Sequence, residues 1–153
     1  MGYPTFAAME KIISNTLILE APPEKVWSLL TEPEYVKKYM YNSDLVTDWQ
    51  PGKPVIFKGA YQGQEMVFVK GHVVENKPYS LLSYTVFDPN AHYTDEPWNY
   101  LTVTYTLEPV GVGTQLTITQ GDFSKVQDGE KRYDDSANAG GWSSILEKIR
   151  ELV

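Results

Sequence analysis

A chain of 153 residues with a net charge of −7 and no cysteine has room for one domain, and it excludes disulfide scaffolds, iron–sulfur clusters and thiolate zinc sites. Its basic residues are scattered, with only Lys37-Lys38 and Lys131-Arg132 adjacent, so neither nucleic acid nor an anionic membrane surface is an expected partner. No apolar run approaches the ~20 residues of a membrane span and Met1–Ala8 lacks the basic-then-apolar order of a signal peptide, so the expectation is a cytoplasmic protein with a short flexible leader at 1–8 and a single domain over 9–153.

Ile12–Glu20 alternates apolar and small polar residues, as a half-buried strand does. Ala21-Pro22-Pro23 stops it, and a proline is tolerated in the first helical turn because its missing N–H would be unpaired there. Val26, Trp27, Leu29 and Leu30 then form one apolar stripe, which predicts a helix over 23–31. Pro33 restarts a shorter helix that buries Tyr35, Val36, Tyr39 and Met40. Short strands with turn punctuation follow: Asp44–Trp49, Pro54–Tyr61, Glu65–Glu75 and Leu81–Phe87. Residues 88–97 read as a polar loop that lids a pocket mouth. Trp98–Glu108 is the clearest strand, with Leu101, Val103, Tyr105 and Leu107 on one face and threonines on the other. Gly111 and Gly113 supply a hairpin turn into Thr114–Gln120.

The hydrophilic run Ser124–Tyr133 reads as a loop. Asp134, Asp135 or Ser136 can cap a closing helix whose apolar face carries Trp142, Ile145, Leu146, Ile149 and Val153. Gly140 and Gly141 inside that pattern cost about 1 kcal/mol each relative to Ala. Close approach of the helix to a sheet or ligand would offset that cost; alternatively the helix simply begins at Gly141. The order β-α-α-β-β-β-β-β-β-α predicts an antiparallel sheet whose apolar face is covered by the last helix.

The strand followed by "APPEKVWSLLTEPEYVKKYM", then "KGHVVENKPYSLLSYTVF", "YLTVTYTLEPVGVGTQLTITQGDF" and "GGWSSILEKIREL" resembles the homologues of the activator of heat-shock protein 90 ATPase, within the START-like helix-grip superfamily that also holds polyketide cyclases and birch-pollen-allergen-like proteins. The resemblance runs from about Glu10 to Val153. It implies an α+β helix-grip fold: a curved seven-stranded antiparallel sheet wrapped around a long C-terminal helix, two short helices after the first strand, and a cavity between sheet and helix. It also implies a small apolar ligand, a lipid or an aromatic metabolite. Two departures stand out: Tyr39 occupies a position where the family often has Trp, and the chain has no room for the further domain of the eukaryotic co-chaperone.

The residues themselves point the same way. Aromatic side chains make up 13% of the chain, enough to wall a pocket with rings that keep a polar handle in Tyr and Trp. Trp49, Phe57, Phe68, Tyr84, Trp98, Tyr105, Gln120 and Trp142, with Tyr39 and Leu146 on the helices, are the candidate lining residues. The competing expectation is that the same rings meet and fill the space.

Catalytic signals are sparse. There is no Gly-x-Ser-x-Gly motif, and His72 and His92 are the only imidazoles available to a nucleophilic set. His92 with Asp88, Asp95 and Glu96 forms a loop cluster that reads as solvated rather than as a metal site, so no metal and no cofactor is expected. Gly111-Val112-Gly113-Thr114 leads into a strand and is a turn, not a phosphate cradle. Glu65 is the one acid–base candidate: pointing inward among Phe57, Phe68 and Tyr84, it would have its pKa raised by desolvation. The expected function is therefore small-ligand binding. The alternatives are a cyclase-, dehydratase- or hydrolase-like enzyme using Glu65 or a tyrosine hydroxyl, and a protein that contacts a chaperone. Monomer and homodimer remain equally open.

Overall fold

Tight turns between consecutive strands force antiparallel neighbours. The computed structural model, which describes residues 10–153, shows one seven-stranded antiparallel sheet. The leader expected at 1–8, with Met9, lies outside the described residues. Across the sheet the strands run β1 (Ile13–Leu19), β7 (Gly113–Gly121), β6 (Leu101–Val110), β5 (Leu81–Val86), β4 (Gln64–Lys77), β3 (Pro54–Tyr61) and β2 (Asp44–Val46). The first strand pairs with the last, and the connection from β1 to β2 carries α1 (Pro23–Thr31) and α2 (Pro33–Tyr39).

The sheet curls because its longest strand is bent. Register shifts lie between Phe57 and Lys58 in the β3–β4 pairing and between Val73 and Glu75 in the β4–β5 pairing. An extra residue in one strand breaks the ladder, bends that strand and increases its twist. The concave face gathers Leu82, Tyr84, Val103, Tyr105, Leu107, Leu116 and Ile118 into the main core. Against it pack Val26, Leu29 and Leu30 of α1 and Val36 and Tyr39 of α2. Each such buried aliphatic or aromatic side chain contributes roughly 1.5–3 kcal/mol. Both helices start as their sequence dictates, with Pro in the first turn and an acidic residue beside it, Glu24 or Glu34.

The C-terminal region departs from expectation. The run expected as a loop holds a 3-10 turn at Phe123–Lys125 and a helix, α3 (Gly129–Asn138). In α3 only Gly129 is buried, so the segment carries no apolar periodicity. Tyr133 anchors it through an edge contact with Phe123, ring centroids 5.9 Å apart. Asp134, Asp135 and Ser136 therefore lie inside α3 and do not cap the closing helix. That helix, α4 (Ser143–Glu151), starts at Trp142 without a side-chain cap and buries Ile145, Leu146 and Ile149. The expected long closing helix is thus two helices separated at 139–142, of which α4 supplies buried residues to the main core.

The break explains the paired glycines. Gly140 and Gly141 have φ of +92° and +60°, a region costly for residues with a Cβ. A Cβ on Gly141 would also lie 2.5 Å from Asn15 Oδ1 and 2.7 Å from Ile13 Cγ2. The close approach is to β1, and Asn15 seals it: its Nδ2 donates to Gly140 O at 3.2 Å and its Oδ1 accepts from Trp142 N at 2.9 Å.

Two strand boundaries also moved. The second strand ends at Val46, before Trp49, whose φ is +58°. Trp98 sits in a 3-10 turn at Pro97–Asn99, and the strand it was expected to open begins at Leu101. Among the described residues, no helix is long and apolar enough to cross a membrane.

Candidate functional site

The curl leaves space between the concave face, the end of α2 and the start of α4: a cavity of about 420 Å³. Its floor is a row across three strands. Tyr84 on β5 pairs with Val103 on β6, and Val103 pairs with Gln120 on β7. All three face the cavity, with Val86 beside them. Trp142 closes the β7 side, its Nε1–H donating to Gln120 Oε1 at 3.1 Å.

The opposite wall comes from the bulge. Phe57 pairs with Val69 and Lys58 pairs with Val67, which leaves Phe68 as the extra residue. A bulge re-aims side chains, and here the consecutive residues Phe68 and Val69 both line the cavity beside Phe57. Gly59 makes room for this, because a Cβ there would come within 2.9 Å of Phe68 Cε2. The mouth is formed by Met40, Tyr41 and Ser43. Tyr41 and Asn42 both adopt left-handed conformations. The turn is fastened by Ser43, whose Oγ donates to Met40 O at 2.6 Å and whose backbone N donates to the same oxygen at 2.9 Å.

Polar atoms on the floor are few. The Tyr84 and Tyr105 hydroxyls are 2.6 Å apart in one hydrogen bond, with ring centroids 5.6 Å apart and edge-to-face. Desolvation holds the Tyr84 pKa well above its ordinary value, and Tyr105 adds to this. Desolvation likewise pushes Tyr105 up to about 12, against a lowering by its bond with Tyr84. Both are neutral phenols at physiological pH. Among the described residues, no carboxylate, imidazole or amine lines the cavity. The site can therefore shed water from an apolar molecule and orient it through a few neutral dipoles.

The structure brings together Phe57, Phe68, Tyr84, Gln120 and Trp142 of the residues expected to line a pocket. Trp49 and Tyr105 stand behind Tyr84: Trp49 meets its ring edge-on at 5.6 Å and donates Nε1–H to Thr31 O at 2.9 Å. Tyr39 is buried in the core, its hydroxyl donated to Leu29 O at 2.8 Å, and Leu146 is buried among core residues of α4. Trp98 is 56% exposed and lies away from the cavity.

Glu65 points to solvent at the start of β4 and pairs with Lys58 at 3.0 Å. It does not enter the ring cluster that would have desolvated it. The 88–97 loop does not lid this cavity either. Asp95 and Pro97 border a separate depression with Lys70 and His72, two residues that strand alternation sets opposite Val69 and Val73. His92 pairs with Asp128 at 3.1 Å and Asp95 with Lys70, so the loop's acidic groups are dispersed.

Met40, Tyr41, Ser43, Val69, Val86 and Val103 line the cavity without having been among the candidate lining residues. The available signal was Gly59, since a glycine inside a strand marks a bulge or a close approach.

The sequence matches, over residues 20–153, the family described as "Activator of Hsp90 ATPase homolog 1-like protein". The chain belongs to that family. Its fold agrees with the START-like, helix-grip superfamily. A protein from Cytophaga hutchinsonii, known from its solution structure, is 31% identical, with 92% of each chain covered and a TM-score of 0.72. The solution structure of the Aha1 dimer from Colwellia psychrerythraea is 18% identical over 92% of this chain and 93% of that one, with a TM-score of 0.66. An HSP90 activator from Plasmodium falciparum is 17% identical over 72% of each chain, with a TM-score of 0.58. At those identities the last two share the fold alone. No curated protein matches the chain.

Proposed function

We propose that this member of the family binds a small apolar molecule, a lipid or an aromatic metabolite, in the cavity between the sheet and the helices α2 and α4, and that it does so in the cytoplasm. The observation that carries the reading is the cavity itself. Its volume of about 420 Å³ lies within the range typical of small-molecule sites, and its walls are rings and aliphatic chains with few polar atoms. Among the described residues those walls carry no carboxylate, imidazole or amine, which favours binding over catalysis.

The test is titration with the neutral fluorophore N-phenyl-1-naphthylamine. Wild type should bind one equivalent saturably. Val86→Trp, which fills the space beside Tyr84, should weaken binding at least about 10-fold, equivalent to about 1.4 kcal/mol, while unfolding cooperatively like wild type. Equal affinity in a folded Val86→Trp variant would move the binding site elsewhere.

The family's description supports a second reading, contact with heat-shock protein 90. A pull-down with its middle domain and an ATP-turnover assay test it; no capture and unchanged turnover would remove it.

A further inference from the structure

Two polar side chains of the cavity, Gln120 and Tyr84, keep an unused hydrogen-bond donor. The indole N–H of Trp142 can only donate, so its contact with Gln120 at 3.1 Å fixes that amide with Oε1 engaged. The NH₂ group of Gln120 is left over, and among the described residues no hydrogen bond uses it. The tyrosine pair gives a second donor. Two hydroxyls bring two protons, and only one proton can lie between oxygens 2.6 Å apart. Among the described residues neither hydroxyl makes another hydrogen bond. Of the two residues, Tyr84 lines the cavity and Tyr105 does not.

An acceptor placed beside Tyr84 selects the arrangement in which Tyr105 donates to Tyr84 and Tyr84 donates onward. Chained hydroxyls polarise one another and strengthen the terminal bond. Tyr84 and Gln120 flank Val103 in one cross-strand row, so the two side chains edge the same floor. Burial keeps both phenols protonated at physiological pH.

We infer that the occupant is an apolar, uncharged compound carrying a carbonyl acceptor, an aromatic ketone, quinone or related enone, seated with its oxygen toward Tyr84 and Gln120 and its rings against Val86, Phe57 and Phe68. This rests on the binding role proposed above and narrows it to one ligand chemistry. A hydrocarbon leaves both donors unmet. A carboxylate would bring a charge that, among the described residues, no lining side chain balances.

Benzophenone and diphenylmethane share a skeleton and differ by the carbonyl, so the ratio of their affinities, measured by displacement of N-phenyl-1-naphthylamine, isolates it. Relative to wild type, the ratio should fall about 3- to 10-fold in Tyr84→Phe and in Gln120→Leu, the span expected for a neutral hydrogen bond. It should fall less in Tyr105→Phe, where Tyr84 keeps its proton and loses only the polarising bond from Tyr105. The infrared carbonyl stretch of bound benzophenone should lie lower in wild type than in Tyr84→Phe. Gln120→Leu carries the comparison alone if Tyr84→Phe does not fold. Binding of both compounds with an unchanged ratio and an unmoved stretch would overturn the donor assignment while leaving the cavity reading intact. No displacement by either compound, with the fluorophore itself failing to bind, would overturn both.

Discussion

Asn15 Oδ1 accepts a hydrogen bond from the backbone N–H of Trp142 at 2.9 Å, joining β1 to the start of α4 across 127 positions of sequence. The same side chain donates to Gly140 O, so one amide holds both sides of the break between α3 and α4. Through Trp142 it also sets the cavity wall, because the indole then reaches Gln120.

Asn15→Ala should lose both bonds and cost about 1–3 kcal/mol, at 0.5–1.5 kcal/mol per bond, measured by urea unfolding at constant slope. It should also weaken N-phenyl-1-naphthylamine binding, because Trp142 loses its anchor. A stability loss with wild-type affinity would separate the clamp from the cavity.

Gly141 and Gly63 both have positive φ, at +60° and +79°, but an added Cβ meets nothing within 4 Å at Gly63 and meets Asn15 and Ile13 at Gly141. Alanine at either site pays the left-handed strain of about 1–2 kcal/mol. Gly141→Ala should be the more destabilising of the two in thermal unfolding, and the difference measures the crowding against β1. Equal losses would mean that conformation alone explains this glycine.

At Gly59 the neighbour is the far end of the flexible Phe68 ring. Gly59→Ala should therefore change stability by no more than about 1 kcal/mol, with the strand gain from alanine offsetting the ring's displacement. Fluorophore affinity should shift, because Phe68 lines the cavity. A variant unchanged in both properties would remove Phe68 from the binding wall.

Much of this fold was legible because burial and periodicity coincide. Leu101, Val103, Tyr105 and Leu107 alternate with threonines, and the structure buries that face. The Pro22-Pro23 helix start was legible through its missing donors. Helix α3 was not, since a helix that buries only Gly129 leaves a hydrophilic run with no stripe. The cavity was partly legible through its rings. Phe57 and Tyr84 were legible as rings on strands, whereas Phe68 reaches the wall through a bulge that strand parity does not encode. Tyr41 reaches the mouth through a left-handed turn that no glycine announces. Trp49, Tyr39 and Tyr105 support the wall from behind because backbone carbonyls or a second hydroxyl claim their polar atoms or because a neighbouring ring intervenes.

Three buried phenols predict an alkaline limit. Tyr39 and Tyr84 are held well above their ordinary values and Tyr105 is raised to about 12, each chiefly by desolvation. In the unfolded chain they lose protons near pH 10, while the folded protein retains them, so the unfolded state binds fewer protons and stability falls as pH rises. The Tyr105 contribution is whole below pH ~10 and disappears through pH ~12, a loss of roughly 3 kcal/mol, and Tyr39 and Tyr84 act in the same direction. Tyrosinate absorbance should show the buried set, Tyr39, Tyr84 and Tyr105, ionising only with unfolding. One smooth transition for all tyrosines, with the fold intact, would contradict the dry core.

The most direct test of ligand binding is native mass spectrometry of the protein purified gently from its own host. The account predicts a reproducible added mass that leaves on denaturation, is absent from Val86→Trp, and belongs to a small apolar compound. A bare protein mass that persists after exposure to lipid and aromatic-metabolite extracts would contradict it.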